Sequence, residues 1–214
     1  MAASIPAADW MPLEPRGVAE LLSATSSRWW LSGGAALDRW LGRPIRHRAN
    51  IDISTLARDL GLLVGALPKG FTAWVLVDDG VVAWADADTD GDLQPVLVRD
   101  ESTGAWVLQV NAEDGTDAVW MYKRDPRLQL PWDRAVYEID GIPTGAPEVQ
   151  LVWKALRPRP EDDIDKDAVL PHLPETARAW YERTILTVHP HSTWSIHVRS
   201  PFAPAKASWN RQRG

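Results

Sequence analysis

A chain of 214 residues with 45% apolar residues, a formal net charge of −6 and no cysteine can bury a core without disulfides or thiolate-bound metal. The acidic balance disfavours nucleic acid and anionic membrane as general partners, although a local basic stripe can still hold one phosphate group. Met1-Ala2-Ala3-Ser4-Ile5-Pro6 lacks a basic region leading into an apolar one, and no apolar run approaches the ~20 residues of a membrane span. The expectation is a soluble, cytoplasmic protein with a small-molecule substrate, binding neither nucleic acid nor membrane. Thirteen tryptophans stand against two phenylalanines. Most are read as core, the remainder as the lining of an aromatic cleft.

In chain order, residues 1–13 read as an extended, Ala- and Pro-rich lead-in. A helix is predicted from Pro15, with Val18, Leu21 and Leu22 on its apolar face. A strand over about 28–32 feeds the turn Gly33-Gly34, and a short helix from Ala35 to Leu41 ends at Gly42. A second strand holds Asn50 to Ile53, after which Ser54 is predicted to cap a helix running to about Ala66. Phe71–Val77 and Val81–Ala85 flank Asp78-Asp79-Gly80 as a hairpin, and strands follow at 96–98, 105–110 and 118–122. Helices are predicted from Pro147, over Asp162–Leu170 and over Pro174–Val188, ahead of a mobile, basic tail at 195–214. The division expected is a core over 14–140 and a helical segment over 141–194.

The most informative stretch is Trp29-Trp30-Leu31-Ser32-Gly33-Gly34-Ala35-Ala36-Leu37-Asp38, followed by Gly42-Arg43, Arg46 and Asn50-Ile51-Asp52-Ile53. Paired glycines let backbone N–H groups approach an anion at a helix N-terminus, and alternate residues of the next strand project to one face. This pattern resembles the nucleotidyltransferase-like proteins related to aminoglycoside and lincosamide adenylyltransferases. The resemblance runs over roughly residues 10–195, through Trp120-Met121-Tyr122-Lys123-Arg124-Asp125-Pro126-Arg127, Ile142-Pro143, Ala146–Leu151 with Lys154, and Asp162 with Asp165. It implies an α/β (α+β) fold: a mixed sheet with packed helices and a C-terminal helical segment.

The resemblance also implies Mg²⁺ and ATP or another NTP, with metal held by an Asp-x-Asp pair and a third acid on a later strand. Here those positions are Asn50, Asp52 and Gln109, so one carboxylate remains, and Asp52 is at best a weak metal ligand. Glu113 or Asp114 is the alternative third acid under a shifted alignment. An amide can ligate Mg²⁺ but cannot offset its charge. Gly33, Gly34, Arg46 and Lys154 are the candidate nucleotide-binding residues, and Asp52, Asn50 and Arg46 the candidate catalytic set. Asp38 is either a helix-surface residue or part of the site, and Asp162 is suited to helix capping.

Other patterns carry less. Asp86-Ala87-Asp88-Thr89-Asp90-Gly91-Asp92 copies half a calcium loop, but Leu97 stands where a bidentate Glu belongs, leaving a solvated acidic loop. His189, His191 and His197 read as loop histidines. Three functions stay open: metal-independent chemistry on a largely apolar metabolite, Mg-dependent adenylyl transfer to a small-molecule hydroxyl, and small-molecule binding without catalysis.

Overall fold

The computed structural model describes residues 9–77, 80–87 and 95–200. The first eight residues, Asp78-Asp79, residues 88–94 and the tail from 201 lie outside them, and with them most of the acidic stretch. The chain forms two compact units that divide between Gly145 and Ala146.

In the first unit, α1 (Pro15–Leu21) precedes β1 (Trp29–Ser32), α2 (Gly33–Leu41), β2 (Asp52–Leu56) and α3 (Leu60–Gly65). Then come β3 (Phe71–Val77), β4 (Gly80–Ala83), β5 (Val96–Asp100), β6 (Ala105–Gly115), β7 (Val119–Tyr122) and β8 (Asp125–Pro131). The short α4 (Trp132–Ala135) leads into β9 (Val136–Ile139) and β10 (Ile142–Gly145). The sheet runs β4-β3-β5-β6-β2-β1-β10-β9, and the far end of β6 carries β7 and β8 as a side ribbon. β2 runs parallel to β6 and β1 parallel to β10, while the remaining pairs are antiparallel. The fold is therefore α+β with a mixed sheet, as expected.

Strand alternation divides this sheet into an apolar and a mixed face. Leu31, Ile53, Val110, Val96 and Val98 point to one side and join Val18, Leu22, Ala36 and Leu63 from α1, α2 and α3 in the core. The lead-in continues this order, since Met11 and Leu13 donate their N–H groups to the carbonyls of Trp106 and Val107 at 2.9 and 3.1 Å.

Three expectations need correction. Ser54 caps no helix: it lies inside β2, whose two edges bond to β1 and to β6, and helical structure starts only at Ala57. The second strand is accordingly Asp52–Leu56 rather than 50–53. Residues 125–131, 136–139 and 142–145 form strands that local pattern did not reveal. Pro126, Pro131 and Pro143 obscure them, and they sit at or near sheet edges where a missing N–H is tolerated.

The second unit packs α5 (Pro147–Ala155), α6 (Pro160–Val169), α7 (Glu175–Val188) and α8 (Thr193–Arg199). α8 takes in the start of the expected tail, with Ser195 buried and its hydroxyl within hydrogen-bonding distance of the carbonyls of Ile185 (3.0 Å) and His189 (2.7 Å). His189 is thus a buried C-cap residue of α7 and His197 is helical, correcting the expectation of loop positions for both. Lys154 Nζ lies 2.6 Å from Asp162 and 3.0 Å from Asp165, both buried. Asp162 also accepts the Arg159 backbone N–H at 3.0 Å, which closes the N-terminus of α6 as a capping box. No helix among the described residues is long and apolar enough to cross a membrane.

Two predictions follow from this packing. Gly115 has no room for a side chain, since a β-carbon would lie 2.8 Å from the Val119 carbonyl and 3.0 Å from Leu56 and Trp132. Gly115→Ala is expected to destabilise the first unit by ~1–3 kcal/mol in urea unfolding. Burial opposes ionisation of Asp162, but hydrogen bonds from Arg159 and Lys154 outweigh it and hold its pKa well below the usual carboxylate range. Stability from this depressed pKa is complete above the unfolded value of about 3.9 and is lost as pH falls further. Asp162→Asn is therefore expected to lower stability at pH 7 and to flatten the acid limb below about pH 4, as followed by circular dichroism.

Candidate active site

The mixed face is organised by register. Ser32 pairs with Asp52, Asp52 with Gln109, Gln109 with Leu97, and Leu97 with Trp74, so these side chains form one lateral row across five strands. The neighbouring row is Trp30, Ser54 and Asn111. Three positions singled out by the sequence, Asn50, Asp52 and Gln109, thereby come together at one end of β2. Asn50 Nδ2 donates to Asp52 Oδ1 at 3.0 Å, and Gln109 Nε2 donates to Asn111 Oδ1 at 3.3 Å. Glu113 stands four residues farther along β6, opposite Leu56, and accepts from the Trp120 indole N–H in a buried contact. It belongs to the wall between β6 and β7 rather than to the Asp52 cluster.

Gly33 and Gly34 are fixed by two different contacts. Gly33 has φ +58° and opens α2, and a β-carbon there would lie 2.8 Å from Asp52 Oδ2. A β-carbon on Gly34 would fall 2.2–2.5 Å from the guanidinium of Arg48. That guanidinium is gripped by Asp38, with Nε to Oδ2 at 2.8 Å and Nη2 to Oδ1 at 2.6 Å, a two-pronged charge-assisted pair. Asp38 Oδ1 also accepts the Ile45 N–H at 3.0 Å, tying the 43–50 loop to α2.

The arginine seated on the glycine turn is therefore Arg48. Arg46 is half-buried and donates to the His47 carbonyl at 3.3 Å. The placement of Arg48 rests on Asp38, ten residues earlier, and on Gly34, relations that local periodicity does not show. Ser32 joins the same end of the row, opposite Asp52. It is the N-cap of α2, and its buried hydroxyl, like that of Ser54 in the next row, has no hydrogen-bond partner among the described residues. Lys154 belongs to the second unit, where Asp162 and Asp165 hold it.

No protein-family model matches the chain, and no curated protein does. Among solved structures, the antibiotic-resistance factor ANT(2″)-Ia in solution is 16% identical, with 93% of this chain and 92% of that chain covered at a TM-score of 0.43. The lincosamide antibiotic adenylyltransferase LnuA with lincomycin bound is 17% identical, covering 84% and 99% at a TM-score of 0.45. ANT(2″)-Ia in complex with adenylyl-2″-tobramycin is 15% identical, covering 94% and 95% at a TM-score of 0.42.

The donor set around Asp52 is small. It offers one carboxylate, one of whose oxygens receives the Asn50 amide N–H, and two neutral amides. Mg²⁺ binds through hard, preferably anionic oxygens, and among the described residues no three Asp, Glu or His side chains gather in one place. The arrangement sets the start of α2 beside the Asp52 carboxylate. Gly33→Ala, which forces a β-carbon onto Asp52 at a positive φ, is expected to cost ~1–2 kcal/mol in chemical denaturation. Gly61→Ala, where a β-carbon meets nothing within 4 Å, is the control and should not destabilise.

Proposed function

We propose that this chain is a nucleotidyltransferase-like protein that acts on a small, largely apolar molecule by metal-independent chemistry. The observation that carries the reading is the register of β2 with β6, which sets Asp52 beside Gln109 and leaves Asn50 hydrogen-bonded to it. The strand–glycine turn–helix pattern supports the fold likeness, and the amides at two of the three expected ligand positions support the loss of metal dependence.

In this reading Asp52 works through Oδ2, the oxygen beside Gly33, while Asn50 orients the carboxylate through Oδ1. Asp52 is the carboxylate placed to accept a proton from a bound molecule. The hydroxyl of Ser32 and the helix start at Gly33-Gly34 supply donors for a polar group of the ligand. Leu97, Trp74 and Trp30 supply the apolar surroundings on the same face of the sheet.

Calorimetry with ATP in the presence of Mg²⁺ and in excess EDTA tests this. The unmodified chain is expected to show no low-micromolar, metal-dependent binding, and Asn50→Asp combined with Gln109→Asp is expected to tighten Mg·ATP binding by roughly tenfold or more. Low-micromolar Mg·ATP binding by the unmodified chain would replace this reading with Mg-dependent adenylyl transfer to a small-molecule hydroxyl.

A further inference from the structure

Trp132 forms a rigid aromatic wall away from the Asp52 row. Its indole N–H donates to the Thr116 carbonyl at 2.9 Å, its ring meets Trp30 edge-on at 5.3 Å, and Gly115 lacks a side chain where the ring passes. The wall borders a cavity of about 420 Å³ whose other sides come from Trp29, Val136, Tyr137 and Pro143. Trp29 pairs with Thr55, three residues along β1 and β2 from the Ser32–Asp52 pair, which places this end of β1 about 10 Å from that pair.

The charges around the cavity have a definite sense. Arg28 is exposed, and its guanidinium carbon sits 4.2 Å from the Trp132 ring centroid, so the indole face already holds a cation. Among the described residues Arg28 has no ion-pair partner. Asp133 and Glu138, both exposed and lining the same cavity, form no ion pair there either. Two carboxylates outweigh one tethered cation that rests on the ring by a contact worth little at an exposed position.

We propose that this cavity is a second ligand site that takes an organic cation, an ammonium group carried on an aryl or otherwise apolar body. The cation takes the place of the Arg28 guanidinium on Trp132 and is balanced by Asp133 and Glu138. The apolar body lies against Trp29, Val136 and Pro143. Arg28 is then the group a ligand displaces, and its side chain competes with ligand for the ring.

The full chain is titrated with phenyltrimethylammonium, with benzyl alcohol as a neutral probe and benzoate as an anionic one, by calorimetry and by following the Trp132 indole N–H in NMR. Phenyltrimethylammonium is expected to bind several-fold more tightly than benzyl alcohol and to shift the Trp132 signal, with benzoate not binding. Asp133→Asn with Glu138→Gln should weaken the cation roughly two- to five-fold, and Arg28→Ala should tighten it by a similar factor. Both variants alter exposed side chains, and unchanged thermal unfolding confirms that they fold. Benzoate binding that Arg28→Ala abolishes would overturn the proposal in favour of an anion site. Equal binding of the neutral and cationic probes, or no saturable binding of any probe at tens of millimolar, would also overturn it. The Asp133/Glu138 variant leaves the Asp52 row intact, so the Mg·ATP titrations report on that row separately.

Discussion

The pairing of β2 with β6 constrains this molecule more than any other contact. β2 lies between β1 and β6 with bonds on both edges, and sliding it by one residue would turn Ile53 out of the core and Asp52 into it. Burial of Ile53 among Leu31, Val110 and the helices thus fixes which oxygens and amides reach the other face. The chemistry of the mixed face is a by-product of apolar packing on the opposite one. Gly33 depends on it directly, because the space its missing side chain leaves is filled by the Asp52 carboxylate.

Elements whose residues announced themselves locally were legible in the sequence. The run Trp29–Ser32, the glycine pair and Gly42 bound α2 at both ends, since a left-handed cap and a tight turn each need particular residues. Gln109 lies in register with Asp52, a relation set by the pairing of β2 with β6. Ser54 misled because a serine ahead of apolar residues looks like a cap, whereas its role is set by strands 20 or more residues away in sequence. Arg48, in a cationic run that reads as solvated loop, is likewise set by distant contacts. Its position depends on Asp38, ten residues earlier, and on a glycine whose bare backbone admits it. Neither relation appears in local periodicity.

The tryptophans divide by what satisfies their indole N–H. Trp120 donates to Glu113, Trp132 to the Thr116 carbonyl and Trp194 to Asp163 at 2.6 Å, so each large ring is pinned by one polar contact. A phenylalanine at position 120 would fill much of the volume but take a donor from the buried Glu113 carboxylate. Part of the unusual composition therefore reflects hydrogen bonding inside the core.

The seat of Arg48 on Gly34 has an evolutionary corollary. The guanidinium occupies the space a β-carbon at position 34 would need, so a side chain there must push the far end of Arg48 aside. Moving that end also disturbs the two-pronged pair with Asp38. Substitutions at 34, 38 and 48 should therefore be non-additive. Across related chains, these three positions would be expected to vary as a set.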